Sequence, residues 1–329
     1  MAFKIASTRD LLKSDGTPAF SATAFDELDR NPDIDWEWLP EDVTEITADI
    51  AARYDGLHVN LPSVTAASVG RPDCRLKIIA RNGVGFDTVD VAACAARGVT
   101  VTNTPHAIRR PVAVAALTMI FALSGRLMAK DRLVRTDRWN DRTDFMGTGL
   151  RGRTLGLIGA GGIGQELIPL ARPFIREVVA ADPYVGRDRL HDLGAHLVTF
   201  EDLLTRADFV VAACPLNDET RHLMNADTFA AMKPTASFIN VARGPVHDEV
   251  ALINALRTGQ IASAALDVTE QEPLDSESPL IGMDNVILTP HALCWTDECF
   301  EDIARTALRS IVDCSLGLEP AHPVKPAKN

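Results

Sequence analysis

The chain has 329 residues, of which 46% are apolar, and this length is ample for two globular domains. Its formal net charge of -12 at pH 7 argues against nucleic acid as a partner, so any anionic ligand would need a local cluster of positive charge. The six cysteines are scattered without a Cys-x-x-Cys pair. This pattern predicts a reducing compartment, with neither a disulfide framework nor a metal site.

The hydropathy of the chain predicts neither a membrane span nor an export signal. The longest apolar run, residues 112–123, is too short to cross a bilayer, and the first residues lack the apolar core of a signal peptide. We therefore expect a cytoplasmic protein without a membrane partner.

The first part of the chain alternates between short apolar runs and helix-like segments. Residues 3–6, 56–59, 76–80 and 99–101 predict strands, and residues 89–97 predict a helix that Gly98 ends. Such alternation is typical of a parallel sheet with helices on both faces. The leading segment therefore predicts a small α/β domain.

A break at residues 103–105 predicts a hinge, and a long helix is predicted after it, from Pro111 to about Arg135. This segment is apolar on nearly all sides up to Arg126. It fits either a buried core helix or a helix packed across a subunit interface. Residues 139–152 predict a loop.

The pattern G-x-G-x-x-G occurs at Gly159, Gly161 and Gly164, between an apolar run and the amphipathic segment 165–174. In a dinucleotide site the first glycine permits a tight turn and the second lets the backbone approach a pyrophosphate. The third glycine lets the helix pack close to the strand, while the first helical amides, here those of Gly162 and Ile163, face the anion. The pattern predicts a dinucleotide site.

A second apolar run, residues 177–181, ends at Asp182 and Pro183. A carboxylate at this point accepts hydrogen bonds from the ribose hydroxyls and repels a 2′-phosphate. The expected cofactor is therefore NAD (NADH), with NADP disfavoured. Two alternatives stay open, because Arg187 lies close enough to hold a 2′-phosphate and Asp182 also suits an ordinary turn before proline.

Six strands are predicted between residues 153 and 290, the number in a doubly wound dinucleotide fold. Arg243, Glu272 and His291 each follow one of these strands, where an open α/β sheet binds its ligand. Hydride transfer to a carbonyl needs a proton donor, which histidine suits, and a cation for a carboxylate, which arginine suits. Any one of the three would fit a structural or surface role, but three complementary types at three strand ends favour catalysis.

The chain resembles the D-isomer-specific 2-hydroxyacid dehydrogenases, which include glyoxylate/hydroxypyruvate reductases and phosphoglycerate dehydrogenases. The matching segments are residues 81–87, 103–105, 156–164, 240–244, 265–268, 270–273 and 289–291. The resemblance implies an α/β protein of two doubly wound parallel-sheet domains, with a Rossmann NAD-binding domain inserted into a smaller flavodoxin-like substrate domain. The implied limits are 1–104 for the substrate-binding domain, 105–294 for the NAD-binding domain, and 295–329 for a helix and tail that return to the first. It also implies a homodimer.

The resemblance also implies roles for single residues. Arg243 would bind the carboxylate and carbonyl of a small 2-hydroxy or 2-keto acid, and Glu272 and His291 would form the acid–base pair. The expected substrate-binding residues are Arg81, Val84, Gly85, Arg243 and His291, with the amides around Val84 and Gly85 taking the carboxylate. The expected cofactor-binding residues, among which Asp267 would hold the carboxamide, are Gly159, Gly161, Gly162, Ile163, Gly164, Asp182, Pro183, Cys214, Pro215, Val241, Ala242, Asp267 and His291.

Several positions depart from the family pattern and leave the substrate open. Asn60 stands where phosphoglycerate dehydrogenases carry a phosphate-binding arginine, and Val114 replaces a common glutamate. Arg109 fits either an extra anion contact or a surface cation at a helix start, and the roles of Arg110 and Trp295 are open. A dinucleotide-sensing corepressor or scaffold is the alternative function.

Overall fold

The computed structural model describes residues 2–326. The chain forms two compact units, the first built from the residues up to Ile108 together with those from Trp295 onward, and the second from Arg109–Cys294. The division between the units thus falls at 108–109 and 294–295, against sequence-based limits of 104–105 and 294–295.

The first unit has a parallel sheet of five strands within the described residues, in the order β2-β1-β3-β4-β5. This is the flavodoxin-like order, and it agrees with the fold class predicted from the sequence. The strands are β1 Phe3–Ser7, β2 Ile34–Trp38, β3 Gly56–Val59, β4 Ile78–Arg81 and β5 Thr100–Thr102. The short helices are α1 Asp26–Asp29, α2 Ala48–Ala51, α3 Ala66–Val69 and α4 Val91–Ala96, with 3-10 turns at Arg9–Leu11 and Ala22–Phe25.

The second unit has seven parallel strands among its described residues, in the order β12-β11-β10-β9-β6-β7-β8. The prediction of six strands was wrong by one, because the edge strand β8 has two residues and is too short to leave a hydrophobic pattern. The strands are β6 Thr154–Ile158, β7 Glu177–Ala181, β8 His196–Leu197, β9 Phe209–Ala212, β10 Ser237–Asn240, β11 Ser263–Leu266 and β12 Val286–Leu288. β6 lies between β7 and β9, so the strands that follow it in sequence are added first on one side of β6 and then on the other. Ligands bind at such a switch point of a parallel sheet.

The helices of the second unit cover both faces of this sheet. They are α5 Arg109–Gly125, α6 Leu127–Arg135, α7 Gly162–Ala171, α8 Arg187–Leu193, α9 Phe200–Arg206, α10 Ala226–Ala231 and α11 Glu249–Thr258. Shorter 3-10 turns occur at Trp139–Phe145, Gly244–Val246 and Pro279–Gly282.

The single long helix predicted up to Arg135 is two helices, so this prediction was wrong. The break is at Arg126, whose φ of 49° is left-handed, and α5 and α6 meet at a bend of 58°. Near the break, the carbonyl of Ser124 accepts a hydrogen bond of 2.7 Å from the Thr148 amide. This carbonyl at the end of α5 is therefore bonded to a distant segment and not to a helical amide. In residues 2–326 no single helix is long and apolar enough to span a membrane, although α5 and α6 taken together pass that test by length and composition only.

The chain returns to the first unit through helix α12, Asp297–Ser315. Thr296 caps it, because its Oγ1 accepts a hydrogen bond of 3.2 Å from the Cys299 amide. The buried face of α12, which includes Phe300 and Ile311, packs into the same core as Ile78 of β4. The tail then runs along β5, where the Val324 amide donates to the Val101 carbonyl at 2.8 Å. The end of the predicted tail, residues 327–329, lies outside the described residues.

Candidate active site

The glycine turn after β6 has the geometry that a dinucleotide requires. Gly159 has a φ of +88°, and a Cβ there would lie 2.8 Å from the Cys214 backbone. A Cβ at Gly164 would lie 2.8 Å from the Gly159 carbonyl oxygen, so this glycine brings the helix close to the strand. At Gly161 no other described atom lies within 4 Å of the Cβ position, so the backbone is open to a ligand. Because α7 begins at Gly162, its first amides lack helical acceptors and face this opening. The residues present therefore fit a dinucleotide.

Asp182 follows β7 and is tied to the same turn. Its Oδ2 accepts a hydrogen bond of 2.8 Å from the Ala160 amide, inside the glycine pattern. Its Oδ1 accepts hydrogen bonds from the amides of Tyr184 and Val185 at 2.8 and 3.0 Å, across Pro183. The carboxylate therefore lies beside the turn, and it also holds the backbone on both sides of itself.

Arg243 follows β10 in a loop that one buried amide organises. Asn240 is fully buried. Its Nδ2 donates to the Arg243 carbonyl and its Oδ1 accepts from the Ala242 amide, both at 2.9 Å. The same Nδ2 lies 2.9 Å from Nδ1 of the buried His247. The sequence analysis missed Asn240 and His247, because a buried polar pair leaves no periodic pattern. Together these contacts fix the backbone from which the Arg243 side chain extends.

His291 and Glu272 form a direct pair. Nδ1 of His291 lies 2.8 Å from Oε2 of Glu272, and the Thr269 amide donates to the other oxygen of Glu272 at 3.3 Å. The hydrogen bond to Glu272 raises the pKa of His291, although burial and the Arg243 charge oppose it. Burial acts to raise the pKa of Glu272, but His291, the Thr269 amide and Arg243 outweigh it and the net shift is downward. A protonated imidazole beside an ionised carboxylate is therefore favoured.

Asp267 holds the loop that carries His291. Its side chain is buried, and Oδ1 accepts hydrogen bonds from Thr289 Oγ1 at 2.6 Å and from the amides of Ala292 and Leu293 at 3.1 Å each. His291 has a φ of +54°, a left-handed conformation that a side chain other than glycine adopts at a cost. The hydrogen bonds of Asp267 on both sides of His291 compensate for that conformation.

The remaining predicted cofactor residues lie at the ends of neighbouring strands. Cys214 and Pro215 follow β9, and Val241 and Ala242 follow β10 as buried residues. Burial raises the pKa of the Cys214 thiol to about 11, so it stays protonated at neutral pH and serves as a packing group. In the second unit, the segments after β6, β7, β9, β10, β11 and β12 thus carry predicted site residues at the carboxyl ends of the strands.

Arg81, Val84 and Gly85 belong to the first unit, where Arg81 ends β4 and the other two lie in the loop that follows. The buried Arg81 side chain donates from Nε to the Gly85 carbonyl at 3.0 Å and from Nη1 to the Val59 carbonyl at 3.3 Å. Asn103 Nδ2 donates to the Val84 carbonyl at 2.8 Å. With both carbonyls engaged, the loop is held in one conformation. Its role in substrate binding rests on the resemblance alone.

The fold and these residues define a dinucleotide-binding α/β protein, and comparisons with known proteins agree. The model of the D-isomer specific 2-hydroxyacid dehydrogenase, NAD binding domain, matches residues 117–292. A glyoxylate reductase of Thermococcus onnurineus is 36% identical over 295 residues, which is 87% of each chain. The chain therefore belongs to the D-isomer specific 2-hydroxyacid dehydrogenase family.

Other relatives are longer than this chain or share its fold. A D-3-phosphoglycerate dehydrogenase of Synechocystis sp. is 38% identical over 270 residues, covering 82% of this chain and 48% of that one. The chain spans about half the length of the curated phosphoglycerate dehydrogenases that it matches. The crystal structure of the TT0316 protein from Thermus thermophilus matches with a TM-score of 0.86 at 30% identity, covering 98% and 99% of the two chains.

Proposed function

We propose that the chain catalyses NAD-dependent hydride transfer between a D-2-hydroxy acid and its 2-keto acid. The observation that carries the proposal is the contact of 2.8 Å between His291 Nδ1 and Glu272 Oε2. This pair follows β11 and β12 of the sheet whose switch point forms the glycine turn. A fold alone does not fix an activity, but a histidine–carboxylate pair at the ligand-binding edge of a dinucleotide fold supplies acid–base chemistry.

In the direction of reduction, a nicotinamide dinucleotide held at the glycine turn would supply a hydride for the carbonyl carbon of the keto acid. Since Nδ1 of His291 is engaged by Glu272, Nε2 is the nitrogen that donates the proton to the developing alkoxide. Glu272 raises the pKa of the imidazole and orients the ring through Nδ1. The Arg243 guanidinium binds the substrate carboxylate and stabilises negative charge on the carbonyl oxygen as it develops.

The substrate is proposed only as a class, a small 2-keto acid. The relatives named above are a glyoxylate reductase and a phosphoglycerate dehydrogenase. Asn60 argues against a phosphorylated substrate, because its Nδ2 donates to Asp10 at 2.8 Å and places an acid where a phosphate would need a cation. The amides around Val84 and Gly85 are the proposed second carboxylate site.

NAD is the proposed cofactor, supported by Asp182 beside the glycine turn. The described cysteines are all free, which supports a reducing compartment such as the cytoplasm. The cofactor and the compartment proposed here are those expected from the sequence.

The proposal is tested by NADH oxidation with glyoxylate, hydroxypyruvate, pyruvate and larger keto acids. We expect turnover with at least one of them, and we expect His291→Asn to lower kcat by at least about 100-fold while NADH binding is kept. Full turnover by His291→Asn would refute the assigned proton donor. Tight NADH binding without turnover on any acid would favour the corepressor or scaffold.

We also propose a homodimer joined through the face of α5 and α6. Large apolar side chains are exposed along this segment, which is unusual for a surface that stays in water. They are Val114, Phe121, Leu127, Met128, Val134, Trp139 and Met146. Analytical ultracentrifugation should give a dimer at micromolar concentration. Leu127→Asp should dissociate it, whereas the equally exposed Leu318→Asp should not; a wild-type monomer would refute the proposal.

A further inference from the structure

Arg109, the first residue of α5, lies across the first residue of α7. A Cβ placed on Gly162 would lie 2.6 Å from Nε of Arg109, 2.9 Å from its Cδ and 3.1 Å from its Cζ. The end of the Arg109 side chain therefore occupies the space that any side chain at Gly162 would need. The absence of a side chain at Gly162 is what allows a guanidinium to reach the beginning of α7.

The packing of α5 against α7 fixes Arg109 in this position. One residue further along, Nη1 of Arg110 lies 3.6 Å from Oε2 of Glu166. At the far end of the pair, the rings of Phe121 and Phe174 meet edge to face with centroids 5.0 Å apart. The two helices thus run in the same direction with their first residues side by side, and Arg109 extends from a helix rather than from a loop.

The electrostatics of this arrangement point to an anion. The amino end of a helix carries a partial positive charge and favours an anion beside it. Here the end of the Arg109 side chain lies beside Gly162, the first residue of α7, and Gly161 just before it is open. The pyrophosphate of a dinucleotide carries two negative charges and is the group that such a turn binds.

We propose that Arg109 is a pyrophosphate-binding residue. It adds a charged donor beside the helix amides, in the space that a side chain at Gly162 would otherwise fill. The inference rests on the proposed use of a nicotinamide dinucleotide and goes beyond it in assigning a residue outside the glycine pattern. It also gives Gly162 a separate task, which is to admit the arginine. Arg109 then acts on the cofactor and not on the acid substrate.

The test compares Arg109→Gln, Gly162→Ala and the control Arg110→Gln. Arg110→Gln removes the same charge one residue along, from a side chain that contacts Glu166. Dissociation constants are measured for NADH by fluorescence, and for ADP-ribose and adenosine by competition, with thermal melting as a check on folding. Arg109→Gln and Gly162→Ala should each weaken NADH and ADP-ribose about tenfold or more, because a charge-assisted hydrogen bond is lost. Adenosine, which has no phosphate, should be unaffected, and Arg110→Gln should stay within about twofold of the wild type.

Four outcomes would overturn the inference. Unchanged ADP-ribose affinity in Arg109→Gln would do so, and a raised KM for the keto acid alone would assign Arg109 to the substrate. Equal weakening of adenosine would mean that the turn itself is distorted. A wild-type protein that binds neither NADH nor ADP-ribose would refute the proposed function, and the inference with it.

Discussion

At the scale of single residues, His291 and Glu272 set each other's charge. Their contact of 2.8 Å raises the pKa of His291 and, against the effect of burial, lowers the pKa of Glu272. Reduction needs the protonated imidazole, so its rate should fall as the pH rises through the raised pKa of His291. Oxidation needs the neutral imidazole and should show the opposite dependence.

Replacing Glu272 with glutamine should move this dependence. Without the carboxylate the pKa of His291 falls, so the alkaline decline of kcat/KM for reduction should begin at a lower pH than in the wild type. The matched control is Glu270→Gln, because Glu270 also pairs with a histidine, His222 at 2.6 Å, two residues away from Glu272. An unchanged profile in Glu272→Gln, measured over about pH 5–9, would contradict the assigned pair.

The sequence predicted the main residues of the site, but it did not predict the residues that hold them in position. Arg243, Glu272 and His291 were found because each follows a strand, and a strand leaves an apolar run. The sequence did not predict that Asn240 holds the loop of Arg243 or that Asp267 holds the loop of His291. Both contacts are hydrogen bonds to backbone groups whose positions are set by the folded loops. The catalytic roles themselves stay predictions.

At the scale of elements, the loops after β10 and β11 are pressed together at one glycine. A Cβ at Gly244 would lie 1.7 Å from the Thr269 carbonyl oxygen, a distance that the backbone cannot accommodate without moving. The loop with Gly244 carries Arg243, and the loop with Thr269 carries Glu272. This contact therefore sets the spacing of the two loops.

Gly244→Ala should displace these loops and lower both stability and activity. We expect a loss of at least about 2 kcal/mol in the free energy of unfolding, in line with overpacking of a buried site. Gly282→Ala is the control, since no described atom lies within 4 Å of that Cβ position. It should change stability by less than about 0.5 kcal/mol. Equal melting temperatures for the two variants would contradict the steric account.

Prediction of the elements succeeded where side chains alternate or run apolar over four residues or more. It located β1, β3, β4 and β5 to within two residues of their ends, and it predicted six of the seven strands described in the second sheet. It missed β2, an edge strand with charged residues at alternate positions, and the break at Arg126. That break coincides with the hydrogen bond between Ser124 and Thr148, which lie far apart in sequence, so no local pattern predicts it.

At the scale of the whole molecule, each unit buries one histidine completely. Burial lowers the pKa of His58 to about 4, although its hydrogen bond to Asn82 and the charge of Asp10 oppose this and Arg81 adds to it. Burial lowers the pKa of His247 to about 4 in the same way, with Glu270 and Asp248 opposing and His222 adding. Both side chains are therefore neutral in the folded protein at pH 5, whereas an unfolded chain protonates them below its ordinary pKa of 6.5.

Stability should consequently fall as the pH is lowered from about 6.5 toward 4. The unfolded state binds more protons in this range, so each histidine contributes a loss of at most about 1.4 kcal/mol per pH unit. Urea unfolding at pH 7, 6 and 5 measures this, with circular dichroism to follow both units. His247→Asn should reduce the slope relative to the wild type. A free energy of unfolding that does not change between pH 7 and pH 5 would contradict the prediction.

The return of α12 to the first unit was the least predictable feature from local pattern. The cap at Thr296 marks where the helix begins, but its buried face fits any apolar surface. Only the family resemblance implied its return to the first domain, and its packing against β4 was not predicted, because the periodicity of a segment does not indicate its distant partner.

The three hydrogen bonds of Asp182 have a consequence for engineering this chain. Exchange of that acid is the obvious route toward acceptance of NADP, since it removes the charge that repels a 2′-phosphate. Here the same carboxylate also holds the amides of Ala160, Tyr184 and Val185. A variant such as Asp182→Ala would leave these donors without their acceptor and loosen the turn for either cofactor. A redesign therefore has to keep an oxygen at this position, as asparagine or serine would, and supply the phosphate-binding cation from α8.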